Sequence, residues 1–277
     1  MTIKAAELAD RGVLRVAGEE AADFLQGLLT NDVKSLAVGA ARYAALLSPQ
    51  GKILFDFLLL RVPAEQGTAF LIDCPAERLG ELAKRLGFYR LRAKVTITDD
   101  SADLAVVAFW DAPPSEAPGG FLYLDPRDPR LGHRAILPRA AAAVAGGGRA
   151  DEYEAHRIRL GVPRGGVDFA YADVFPQDAN LDLLNGVDFE KGCYVGQEVV
   201  SRMRHRGALR KRIVRLALTG AAPARGTPVL AGETPVGVLG SAANGLALAL
   251  VRLDRVDDAL AAGGAFTAGG VGIKIET

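Results

Sequence analysis

The chain has 277 residues, enough for one large domain or two smaller ones with real cores. Apolar residues make up 49% and charged residues 24%, an ordinary globular composition that excludes a disordered or fibrous chain. With 33 Lys/Arg against 33 Asp/Glu the net charge is zero, so no global field favours nucleic acid.

Val13–Val16 reads as a strand, after which Gly18 opens a helix with Ala21, Phe24, Leu25, Leu28 and Leu29 at helical spacing. Thr30-Asn31-Asp32 ends it, as a cap or turn. Tyr43–Leu47 and Lys52–Leu60 are strands, the second a buried apolar run interrupted by Asp56. Alternation puts Asp56 on one face with Leu54, Leu58 and Leu60. A carboxylate there is costly unless it is paired with a core arginine or used in chemistry. Thr68–Asp73 pairs back as a hairpin, and Pro75 suits the first turn of a helix running to Leu86. Lys94–Thr98, Leu104–Phe109, Phe121–Leu124 and Arg134–Leu137 are further strands. Residues 111–120 form a Pro/Gly-rich surface loop, and His133 is a solvated loop histidine.

Residues 139–150 read as a helix fraying into a linker. Asp151 with Glu154 makes a capping pattern for a helix ending at Gly161. Tyr153 and His156 fit half-buried helix positions; Gln177 and Asn180 can each offer a donor and an acceptor, or simply brace a loop.

Residues 188–198, Asp-Phe-Glu-Lys-Gly-Cys-Tyr-Val-Gly-Gln-Glu, form a tight loop in which Gly192 and Gly196 permit close backbone approach. From Arg202 to Arg215 there are seven Arg/Lys residues and no acid. Cys193, between Lys191 and that basic run, is either an activatable thiol or a small buried hydrophobe. No His/Asp partner is visible near it in the sequence to make a triad. From Lys211 the periodicity falls to two, and six short strands (213–218, 228–230, 235–239, 246–251, 265–267 and 271–275) suggest a small β-barrel beginning at residue 210.

Lys191-Gly192-Cys193-Tyr194-x-Gly196-Gln197-Glu198 resembles the signature of the YgfZ family, folate-binding iron–sulfur maturation factors with a mitochondrial branch, similar in fold to the glycine-cleavage aminomethyltransferase (T-protein). Arg11-Gly12, Gly18, Phe24-Leu25-Gln26 and Thr30-Asn31-Asp32 resemble the opening of that fold, and residues 88–95 resemble the mitochondrial branch. Gly161-Val162-Pro163 and residues 175–181 are similar to the family's approach to the signature. The resemblance implies an α+β aminomethyltransferase-like domain over 1–209 and a barrel over 210–277. It implies tetrahydrofolate, or a one-carbon derivative, as cofactor and iron–sulfur assembly or client proteins as partners. Cys193 and Asp56 are then the candidate reactive groups. Arg11, Asn31, Asp56, Tyr153, Gln177, Asn180, Lys191, Gln197 and Glu198 are the candidate folate contacts, and no residue is assigned to a metal. Two departures stand out: Phe55 replaces the first of a paired-aspartate motif, and Leu131 falls where the transferases carry a pterin-gripping glutamate. They weigh against the alternative, a folate-dependent aminomethyl- or methyltransferase, and leave turnover undecided.

Cys74 and Cys193 are too few for a disulfide framework or for a cysteine-ligated cluster held by one chain. Residues 1–7 lack an apolar targeting run, and nothing approaches the ~18 unbroken apolar residues of a membrane span. The expectation is a reduced, cytoplasmic, monomeric protein with no membrane or nucleic-acid partner.

Overall fold

A computed structural model describes residues 3–112, 114, 119–145, 147–206 and 209–276. Much of the expected loop at 111–120 lies outside them. The first half comprises β1 (Lys4–Glu7), β2 (Arg11–Gly18), α1 (Ala21–Gln26), β3 (Ala41–Leu47), β4 (Ile53–Val62), β5 (Thr68–Pro75), α2 (Ala76–Arg90) and β6 (Thr96–Asp99). Then follow β7 (Leu104–Trp110), β8 (Phe121–Leu124), β9 (His133–Pro138), α3 (Arg139–Ala145), α4 (Ala150–Arg159) and α5 (Gln197–Arg206). The chain ends in β10 (Lys211–Leu218), β11 (Pro228–Ala231), β12 (Thr234–Ala243), β13 (Leu246–Arg252), α6 (Leu253–Ala261), β14 (Phe266–Ala268) and β15 (Val271–Glu276).

These make a five-stranded sheet in the order β3-β4-β5-β2-β6 and a four-stranded sheet β1-β7-β9-β8. The last six strands close a barrel through the pairing of β15 with β10. Every ladder between these strands is antiparallel. One core lies between the two sheets and reaches Ile213 and Leu248 of the barrel; a second lies under α1 and α2 on the other face of the five-stranded sheet.

Three local expectations change. The first helix stops at Gln26, because Leu29 leaves it to bridge Leu46 in β3. The capping box at Asp151 does not form: Asp151 pairs with Arg149 and Glu154 with Arg157, leaving the helix without a side-chain cap. In β4 the register slips between the pairs Leu46–Phe55 and Leu47–Ile53. That bulge turns Leu54 to the α1/α2 side, while Asp56, Leu58 and Leu60 keep the inter-sheet face with Tyr43.

Candidate functional site

Asp56 is buried, yet no arginine among the described residues pairs with it. Its carboxylate accepts hydrogen bonds from the hydroxyls of Tyr43 at 2.8 Å and Tyr171 at 2.6 Å. The acid's charge raises both phenols' pKa after burial has raised them first. Behind Tyr43 runs a buried ionic chain. Arg127, whose guanidinium lies 5.8 Å from the Tyr43 ring, grips Asp125 with two bonds of 2.9 and 2.7 Å. Arg134 then joins Asp125 (3.0 Å) to Asp73 (2.7 Å), and Arg11 closes on Asp73 at 2.5 Å. Burial alone would push the Asp125 carboxyl up, but Arg127 and Arg134 overcome it and hold it down at about 2. Of the two alternatives for Asp56, pairing with a core arginine is not the one seen among the described residues: Arg11, Arg127 and Arg134 serve Asp73 and Asp125.

Tyr171, Asp73, Asp125, Arg127 and Arg134 were not among the residues singled out from the sequence. An arginine within the apolar run of β9 and an aspartate ending the apolar run of β5 were the legible signals. Tyr153 belongs to this interior as well: it is 2% exposed, its hydroxyl accepts from Arg134 at 3.2 Å, and it packs on Trp110. His156 is held between the Arg130 carbonyl and the Arg159 guanidinium. Leu131 is buried.

A cleft of about 510 Å³ opens beside this interior, lined by Arg11, Glu77, Arg164, Gly165 and Arg225 among others. Gly165 forms the partition: any side chain there would collide with the Tyr171 hydroxyl and Asp56 Oδ1. Asp56 and Arg11 thus stand at one place in the fold.

The signature loop is built separately. Lys191 Nζ donates to the carbonyls of Gln26, Leu29 and Asn31 at 2.8, 2.7 and 2.9 Å, so all three of its protons are engaged at the end of α1. Burial draws its ammonium down to about 8 against the pull of Asp32 and Asp188. Asn31 is equally committed, donating to Tyr43 O and Asn185 O and accepting from Asp32 N. Gly196 turns with φ of 82° so close to the turn at 48–51 that a Cβ would lie 2.6 Å from Ser48 O. Between these anchors Cys193 is exposed, whereas Cys74 is buried with its thiol pushed up to about 12 by burial. Gln197 and Glu198 open α5, with Glu198 exposed and paired to Arg202. Gln177 donates to Val200 O to hold α5, and Asn180 donates to Ile213 O at the barrel's first strand. A second cleft, of about 420 Å³, is lined by Gln177, Asp182, Phe189, Arg204 and Arg212, but not by Cys193.

The structure therefore sets Asp56, Arg11 and Tyr153 in and beside the buried ionic chain, and Cys193 on the loop that Lys191 anchors, with Asn31 between them bonding both Lys191 and the Tyr43 carbonyl. Neither Cys193 nor Asp56 is among the residues lining these two clefts.

Residues 210–277 match the family described as CAF17, C-terminal beta-barrel domain, and residues 4–110 match the GCVT N-terminal domain. The iron-sulfur cluster assembly factor IBA57 of Homo sapiens, mitochondrial, is 34% identical over 274 residues, 89% of this chain and 76% of that protein. The chain belongs to the IBA57 family. The Mycosarcoma maydis homologue is 41% identical over 80% of this chain and the Mus musculus protein 36% over 78%; the chain spans 59% and 66% of those two proteins' lengths. The glycine cleavage system aminomethyltransferase T from Bartonella henselae superposes with a TM-score of 0.78 at 18% identity, covering 99% of this chain and 85% of that one. The fold is accordingly that of the aminomethyltransferases with a closed six-stranded C-terminal barrel. One reading is refined and one is corrected. The resemblance to YgfZ, a related family, narrows to the iron–sulfur assembly factors of the IBA57 family. A cytoplasmic location is overturned by the same relatives, each named mitochondrial, which points to the mitochondrion.

Proposed function

We propose that this IBA57-family chain assists iron–sulfur cluster assembly through Cys193, with a reduced folate held at the Asp56 region. The carrying observation is that Cys193 stands exposed on a loop whose base is pinned by Lys191, while Cys74 is buried. Cluster chemistry needs several ligands, and this chain offers one accessible cysteine sulfur. Cys193 accordingly supplies one ligand to a cluster whose others belong to an assembly or client protein. The test is complementation of cells lacking their own factor, reading aconitase-type activity. Cys193→Ser is expected to lose rescue while accumulating to normal levels; full rescue would sink the role.

For folate, the groups that fit are a carboxylate able to accept from pterin amines, Asp56, and arginines able to meet the acidic glutamyl end. Arg11, Arg164 and Arg225 line the adjoining cleft beside the acids Asp10 and Glu77. Tyr153, Asn31, Asn180 and Lys191 already use polar groups within the chain, so they brace the fold rather than offer free contacts. Gln177, by contrast, keeps a buried Oε1 without a partner among the described residues and lines the cleft of about 420 Å³. Gln197 and Glu198, expected as folate contacts, open α5 four and five residues after Cys193 and are assigned to that loop. Asp56→Asn keeps the side chain's shape; equilibrium dialysis with tetrahydrofolate should show about tenfold weaker binding. Equal affinity would remove Asp56 from the pocket. The two-part division, 1–209 and 210–277, is proposed on the same footing.

A further inference from the structure

α2 buries Leu79, Leu82 and Leu86 against the second core. Phe88 lies about 200° round the helix from Leu86 and is 63% exposed. Leu91, the C-cap residue with φ of 45°, is 87% exposed. Around these two bare apolar side chains stand Lys84, Arg85, Arg90, Arg92 and Lys94, all exposed. Lys94 pairs with Glu19 at 2.7 Å, and Glu20 caps its backbone N–H; Glu81 is taken by Arg78. Lys84, Arg85, Arg90 and Arg92 have no acidic partner among the described residues, and the Lys84 ammonium rests 6.0 Å from the Phe88 ring. A shallow trough of about 560 Å³, lined by Arg90, Leu91, Arg92, Lys94 and Thr96, leads to β6, the edge strand of its sheet.

We propose that this end of α2 docks an acidic segment of a partner protein, with apolar side chains covering Phe88 and Leu91 and carboxylates meeting Arg90 and Arg92. In a chain of zero net charge, four unpaired cations ringing two exposed apolar groups are a local segregation whose complement is acidic and apolar. A symmetric pairing with a second copy would set the same cations face to face. A membrane would need a continuous apolar helix face, and that of α2 is already spent on the core. A nucleic-acid strand would need several aromatic platforms, and Phe88 is the one exposed here. The inference is independent of the Cys193 reading.

The probe is a set of short fluorescent peptides in which Asp and Glu alternate with Leu and Phe, with a control set carrying Lys for the acids. Anisotropy titration should show binding of the acidic set, weakening with salt. It should fall by about tenfold or more in both Arg90→Glu/Arg92→Glu and Phe88→Ser/Leu91→Ser. These positions are exposed, so thermal midpoints should not move. Unchanged peptide affinity in either variant overturns the proposal. So would tighter binding of phosphatidylglycerol vesicles or single-stranded DNA, or a dimer in sedimentation that the variants abolish.

Discussion

Asp125 shows how the interior tolerates so many charges. Its carboxyl is fully buried and faces two guanidinium groups, so removing the acid strands Arg127 and leaves Arg134 with Asp73 alone. Its folded pKa of about 2 lies below the ordinary 3.8. The contribution is therefore complete above about pH 4 and lost as pH falls toward 2. Asp73 is shifted in the same direction, so it adds to the same acid limb. Asp125→Asn should cost about 3–5 kcal/mol at pH 7, measured by urea denaturation. Its loss of stability between pH 4 and 2 should be shallower than that of the unaltered chain. A cost near zero would mean that water, not Asp125, solvates the arginines. Asp56, by contrast, was visible as an anomaly in β4, but its partners were not. Tyr171 lies far along the chain, and nothing local marks it as the residue that meets an aspartate 115 positions away.

At the scale of an element, the Cys193 loop is held by what flanks the cysteine rather than by the cysteine. Lys191 caps the carbonyls at the end of α1, Asp188 Oδ1 accepts the Glu190 and Lys191 N–H groups, and Gly196 wedges against the turn at 48–51. Lys191→Met keeps the aliphatic stem and removes three donors, so it should lower stability by about 1–3 kcal/mol. Glu198→Gln, on an exposed pair, should stay within about 0.5 kcal/mol. Denaturation midpoints compare the two; equal effects would show that the loop carries itself. The sequence located this loop through its glycines, but assigned Lys191 to a ligand. The three carbonyls that claim it come from a segment some 160 residues earlier. The helix α6 was missed for a different reason: its apolar positions Leu253, Val256 and Leu260 sit in a short span between strands, and the β spacing on either side dominated.

Across the whole molecule, the barrel is joined to the rest by a buried acid. Asp168 accepts from Ser241 N and Oγ on the barrel and from Arg157 and the Arg164 N–H on the other side. Ile213 and Leu248 enter the main core from the barrel, so the two parts share apolar burial as well as hydrogen bonds. By itself the sequence determined the strand and helix periods, the barrel at the C-terminal end, the misfit of Asp56 and the signature around Cys193. These are written in local spacing, where side-chain alternation and turn chemistry act over a few residues. Only the tertiary structure decided who satisfies Asp56, where Lys191 spends its protons, and which contacts pin the loop that exposes Cys193. Those outcomes depend on charges and hydrogen-bond partners brought together from distant parts of the chain, and burial makes each pairing obligatory without leaving a mark in the neighbouring residues.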